Sequence, residues 1–281
     1  MSDLFFVYGT LRKHGSRDVI LKNGKLLASQ AWTKGKLYLA DHLDPILKPD
    51  ENERSYGELY EVSSEKSEEL KKMMSLNGNL AKVTVYTDHL GQQEAYTQTT
   101  ESDVEFVEEV RFNDWIIHME MDRPIQYYFA YGSCMDDERF KLAKVDHLFL
   151  NKIGGGKVER LEMNYSLSVH DGGRANLIET GGSGEGVLYK VNQKAVEYLY
   201  HREGVDSGMY RPAMVDVSVD GIHYAKSITF IVIDPVDEIA PPLHYATEII
   251  RGSRGVVSDE YHEKLVKDLT DKFNLEVKLN K

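Results

Sequence analysis

Residues 128–135 read "YFAYGSCM", and residues 6–12 read "FVYGTLR". Both are aromatic-rich strands that run straight into Tyr-Gly-Ser or Tyr-Gly-Thr. Set in register, the two stretches bring more than a turn into coincidence. After Tyr8-Gly9-Thr10-Leu11 comes "SYGELYEV" (55–62), and after Tyr131-Gly132-Ser133-Cys134 comes "GEGVLYKV" (184–191). Each Gly-x-Leu-Tyr strand leads into a helical pattern, "SSEKSEELKKMM" in the first half and "NQKAVEYLYH" in the second. An alternating strand pair follows each helix, "AKVTVYTDHLGQQEAYTQT" and "PAMVDVSVDGIHYAKSITFIVI". Period-two alternation around His-Leu-Gly and Asp-Gly predicts two hairpins.

The spacing of these anchors predicts two domains of one fold, residues 1–122 and 125–281, divided at Asp122-Arg123-Pro124, where proline disfavours a continuing element. The acidic segment "ESDVEFVEEVRFNDW" (101–115) goes with the first domain and fits helix or strand equally. Toward the end, Ser258 reads as a helix cap, with Tyr261, Leu265, Leu269 and Phe273 recurring every four residues. Short strands, mostly in antiparallel hairpins with few helices, predict an α+β fold whose sheets close into small barrels.

Composition narrows the function. The formal net charge of −12 over 281 residues argues against nucleic acid as a partner, since affinity for phosphate backbones comes from clustered Lys and Arg. "ITFIVI" (228–233) is strand-sized, and no stretch has the length of a membrane span. The N-terminus reads as an opening strand, without the basic start of a signal peptide, so a cytoplasmic protein is expected. One cysteine, Cys134, excludes an intrachain disulfide and a cysteine-based zinc site. "GGGK" (154–157) and "GGSGEG" (181–186) fit neither a P-loop nor a dinucleotide fingerprint and are read as turns. The ten histidines show no two-His helical spacing, so no metal is expected.

Three features of the second half remain. The strand-to-turn "YFAYGSCM" can aim consecutive backbone N–H groups into one space, where a carboxylate or a developing oxyanion is received. Taken alone, it is as readily a turn without a ligand. In "HREGVDSGMYRP" (201–212), Glu203 ends a helix and Gly204 supplies a left-handed cap. The negative end of the helix dipole disfavours a charged carboxylate there, which suits proton transfer near neutral pH. Taken alone, Glu203 is as readily a surface residue. Gly208-Met209-Tyr210-Arg211 brings a turn and an aromatic within reach of both.

Together with the Gly-Gly-x-Ala of "DGGRANL", with "GEGVLYKV" and with "YATEIIRGSRGVVSDEYHEKL", these motifs resemble the γ-glutamylcyclotransferase family and its γ-glutamyl-amine relatives over nearly all of the second half. The first half resembles the shorter branch of that family through "VYGTLRKHG", "GKLYLADHLDPIL" and "YGELYEV". The resemblance implies two tandem γ-glutamylcyclotransferase-like domains, each a small mixed or antiparallel β-barrel with flanking helices. It implies a small-molecule γ-glutamyl substrate, no cofactor, and an activity of transferase or lyase class. Tyr131, Gly132, Ser133, Cys134 and Tyr210 would hold the glutamyl group. Glu203 would take a proton from the α-amine as it attacks its own γ-carbonyl, and return it to the departing amine as 5-oxoproline forms. By repeat, Tyr8, Gly9, Thr10 and Leu11 would line the equivalent place in the first domain.

Two departures stand out. Cys134 occupies a position where the family has Asn. In the first half Met74 or Ser75 falls where Glu203 stands in the second, so the first domain is expected to be non-catalytic. Two other readings stay open: a binding or scaffold protein with retained pockets, and hydrolysis or acyl transfer through Cys134.

Overall fold

The computed structural model describes residues 2–39, 44–76, 78–101 and 108–279. The chain divides into two compact units, one up to Met121 and one from Asp122 onward. The fold is α+β, each unit being built on a five-stranded barrel.

In the first unit β1 (Ser2–Val7), β2 (Lys25–Lys34), β3 (Lys36–Leu39), β4 (Pro45–Lys48) and β5 (Arg54–Ser63) precede α1 (Ser64–Met74). Then come β6 (Asn79–Thr87), β7 (Gly91–Thr99), β8 (Glu108–Glu109) and α2 (Trp115–Glu120). The barrel closes in the order β1-β5-β2-β6-β7, while β4, β3 and β8 form a separate small sheet. Of the acidic segment 101–115, residues 102–107 lie outside the described residues, and the remainder holds β8 and the start of α2.

The second unit runs β9 (Ile125–Ala130), α3 (Asp137–Leu142), β10 (Lys152–Val169), β11 (Gly172–Asn192), α4 (Gln193–Arg202), β12 (Tyr210–Val219), β13 (Ile222–Val232), α5 (Leu243–Ser253) and α6 (Asp259–Phe273). Its barrel closes β10-β11-β9-β13-β12, which is the first barrel's cyclic order with β9 in place of β1. The correspondence holds at the level of register. Val7 pairs with Glu58, the residue after Gly57, and Ala130 pairs with Val187, the residue after Gly186. Each barrel is completed by one parallel bridge, Phe5 to Tyr96 and Tyr128 to Ile228.

Local chemistry explains the elements. The β12–β13 turn puts Asp220 and Gly221 at φ 48° and 80°, the left-handed pair a two-residue hairpin needs. Ser258 caps α6 by accepting from the Tyr261 N–H, and Tyr261, Leu265 and Leu269 are its buried stripe. In the first unit the buried Arg12 lies between two buried carboxylates, 2.7 Å from Asp114 and 3.5 Å from Glu58.

Two of the expected turns are strands. "GGGK" lies inside β10 and "GGSGEG" inside β11, where the two long strands pair through an irregular register between Glu159 and Leu161. Glycine serves close packing there: a Cβ on Gly155 would sit 1.9 Å from the Val256 carbonyl, and one on Gly156 would sit 2.5 Å from Val217 Cγ1.

The glycines of the two Gly-x-Leu-Tyr strands do the same at a decisive place. A Cβ on Gly57 would lie 2.4 Å from the Val7 carbonyl oxygen, and one on Gly186 would lie 2.3 Å from that of Ala130. These carbonyls end the strands that carry the Tyr-Gly turns. Gly186→Ala should therefore destabilise the second unit by about 1–3 kcal/mol, the usual cost of overpacking. Urea unfolding of the variant checks this, and a transition unchanged from the parent protein would show that the approach is not a constraint.

Candidate active site

β9 ends at Ala130, and the chain then turns through Gly132 into a single 3-10 turn, Ser133–Met135. The turn is closed by Met135 N–H donating to the Gly132 carbonyl and Asp136 N–H to that of Ser133, at 3.0 and 3.1 Å. The preceding N–H groups, of Gly132, Ser133 and Cys134, donate to no acceptor among the described residues. Tyr131 anchors the strand end from beneath, its hydroxyl donating to the Phe230 carbonyl at 2.6 Å.

Glu203 reaches this turn from the end of α4. Val205 N–H donates to the Tyr200 carbonyl and Gly204 N–H to that of His201, the paired bonds of a Schellman cap. Gly204 holds the left-handed φ of 64° that the cap requires. Glu203 is the C-cap residue, so its position is set by backbone geometry. Its carboxylate accepts from the Cys134 thiol at 3.7 Å and lies 3.6 Å from Arg202 Nε.

A cavity of about 30 Å³ joins these parts; its lining includes Gly132, Ser133, Cys134, Ala175, Glu203 and Tyr210. The structure thus brings Tyr131, Gly132, Ser133, Cys134, Glu203 and Tyr210 to one cavity, while Gly208, Met209 and Arg211 are not part of its lining. Tyr210 begins β12 and is buried, its hydroxyl donating to the Ala175 carbonyl at 2.6 Å. Ala175 N–H in turn donates to the Tyr245 hydroxyl at 3.2 Å. Ala175 and Tyr245 stand in motifs noted in the sequence, but nothing in pattern or spacing gave them a place in the site. Arg202 was also missed. It donates to Cys134 Sγ and to Ser133 Oγ, both at 3.2 Å, and so braces the turn against the helix end.

Burial pushes the Glu203 carboxyl above its ordinary range, and the nearby Arg202, Cys134 and Arg139 offset this without reversing it. Its side chain keeps 19% of its exposure, so it can exchange protons with solvent. Burial likewise raises the Cys134 thiol, with Glu203 adding to the effect and Arg202 opposing it. A nucleophilic cysteine needs the opposite shift.

In the first unit Tyr8, Gly9, Thr10 and Leu11 line a different cavity, of about 410 Å³, together with Met73 and Met74. α1 corresponds to α4, and its C-cap is Ser75. Among the described residues of that helix end, Ser75 and not a carboxylate holds the cap position, and Met74, buried, forms part of the wall. Among the described residues no three His, Cys, Asp or Glu side chains are grouped as metal ligands would be, and no helix is long and apolar enough to cross a membrane.

Comparison with known proteins follows the same division. Residues 5–119 match the family described as gamma-glutamyl cyclotransferase, AIG2-like, and residues 184–265 match the AIG2-like family. The chain is 40% identical over 272 residues to YkqA of Bacillus subtilis (strain 168), covering 94% of this chain and 96% of that one. The name of that protein assigns it provisionally to the gamma-glutamylcyclotransferases. The crystal structure of YkqA from Bacillus subtilis superposes with a TM-score of 0.88 at 37% identity, covering 99% of this chain and 100% of that one.

A buried, protonated thiol should react slowly. Cys134 in the folded protein is expected to resist iodoacetamide at neutral pH and to label fully in denaturant, as read by mass spectrometry. Prompt labelling of the folded protein would restore Cys134 as a candidate nucleophile.

Proposed function

Because this chain belongs to the gamma-glutamylcyclotransferase family, we propose that its second domain cyclises the glutamyl group of a γ-glutamyl amine or peptide to 5-oxoproline and releases the amine. The observation that carries this reading is the placement of Glu203 on the same cavity as the three unused N–H groups of Gly132, Ser133 and Cys134.

In this reading the residues take the roles that the family resemblance implies, and the geometry is compatible with them. Glu203 takes a proton from the substrate's α-amine, whose lone pair attacks the γ-carbonyl carbon. Oxygen charge builds as the ring closes, and the turn N–H groups receive it. Collapse of the tetrahedral intermediate breaks the bond to the leaving nitrogen, and Glu203 returns the proton to it. Nucleophile and electrophile belong to one molecule, so holding it folded is itself worth on the order of 7–11 kcal/mol. Tyr131 and Tyr210 spend their hydroxyls on backbone carbonyls and act as rigid walls. The cavity of about 30 Å³ has to widen to admit a glutamyl group. The thiol of Cys134 keeps a weak hydrogen bond to Glu203, so Cys134→Ser should alter the rate only modestly. The first domain, with Ser75 at its helix end, performs no chemistry in this reading.

The proton affinity of Glu203 fixes a pH dependence. The base must be unprotonated to start the reaction, and its pKa lies above the ordinary 4.5. Turnover should therefore rise with pH through an apparent pKa above that value. Stability has the opposite sign: a raised carboxyl pKa favours the fold at low pH, and that contribution is lost as pH climbs from 4.5 through the folded-state value. Glu203→Gln removes the charge. It should lower 5-oxoproline formation by about 10²–10⁴-fold and raise the Tm at neutral pH. A variant that stays active, or an acid limb at or below 4.5, would overturn the role given to Glu203.

A further inference from the structure

The larger cavity is in the domain without the acid. It holds about 410 Å³, within the range of small-molecule sites, against about 30 Å³ around Glu203. Phe6, Val7, Leu11, Ile46, Met73 and Met74 give it an apolar part, which shares the lining about equally with polar groups. The two methionines let those walls adapt to a ligand's shape.

Several of its polar groups cluster at the Tyr-Gly turn. The N–H groups of Gly9, Thr10 and Leu11 have no acceptor among the described residues, as at the equivalent turn of the second domain. Beside them Asp44 accepts from Thr10 Oγ1 at 2.6 Å and pairs with Arg17, which also donates to Thr10 Oγ1 at 2.8 Å. A Cβ on Gly9 would lie 3.8 Å from Asp44 Oδ1, so the carboxylate is a near neighbour of the turn. Both members of the ion pair are about two-fifths exposed, 41% for Arg17 and 39% for Asp44. Such exposed pairs hold together weakly and open readily to a competing charge.

An anion-receiving turn a few ångströms from a carboxylate, above an apolar floor, complements one arrangement of charges. A carboxylate and an ammonium must sit on the same carbon, with an apolar chain behind them. We propose that the first domain binds a free α-amino acid with an apolar side chain. Its carboxylate meets the N–H groups of Gly9, Thr10 and Leu11, its ammonium meets Asp44, and its side chain lies against Met73 and Met74. This site is separate from the one around Glu203 and does not depend on the reaction proposed there.

The test is calorimetric titration of the full chain with L-methionine, with methioninamide, which lacks the carboxylate, and with N-acetylmethionine, which lacks the ammonium. L-Methionine should bind with one site per chain. Each blocked form should bind at least about tenfold more weakly, the loss expected when one charge-assisted hydrogen bond is removed. Asp44→Asn, a rim change that leaves the core intact, and Met74→Trp, which fills the floor, should each weaken L-methionine similarly. Glu203→Gln should bind it as the parent does. The proposal is overturned by absence of binding, by equal binding of the blocked forms, or by binding that Glu203→Gln abolishes and Asp44→Asn leaves untouched.

Discussion

In each barrel one glycine lets two strands come closer than any side chain would permit. Gly57 and Gly186 face the carbonyls of Val7 and Ala130, which end the first strand of their units. That contact fixes where the strand stops and the Tyr-Gly turn begins. The turn is what each cavity is built around, and the register on both sides of it is the same in the two units. The repeat is therefore a repeated device for presenting backbone N–H groups at the end of a strand. Each unit furnishes that device differently.

The difference lies at the end of one helix. α4 ends in a Schellman cap that holds Glu203 against the turn, in surroundings that disfavour its charge. α1 is capped by Ser75, with Met74 in the cavity wall, and the buried carboxylates Glu58 and Asp114 of that unit are instead engaged with Arg12. A group held at a cost to the fold is characteristic of a working site, whereas a neutralised buried pair is characteristic of structure. The same architecture thus places a carboxyl of raised pKa at the turn of one unit, and a larger cavity with Met74 in its wall at the turn of the other.

Much of this was legible in the sequence because its signals are local. Asp220-Gly221, the Ser258 cap and the apolar stripe of α6 each declare themselves within a few residues. Glu203-Gly204 did so as well, since a C-cap glycine fixes the residue before it. "GGGK" and "GGSGEG" misled, because glycine marks tight turns and close strand approach alike, and only the partner backbone distinguishes them. Arg202, Ala175 and Tyr245 were invisible for a related reason. Their contribution is a contact with residues far along the chain: Arg202 with Ser133, and Tyr245 with Ala175. The contrast in cavity volume was equally hidden, because it depends on how Met73, Met74 and Ile46 pack in space.

The central claim is that an amine of the substrate, and not water or Cys134, attacks the carbonyl that the turn polarises. Isotope labelling tests this directly. Purified protein is incubated with γ-glutamyl compounds in water enriched in oxygen-18, and the glutamyl product is examined by mass spectrometry. Cyclisation predicts 5-oxoproline free of solvent oxygen and equal in amount to the amine released. Glutamate carrying the heavy oxygen would show that water cleaves the bond, and would contradict the account.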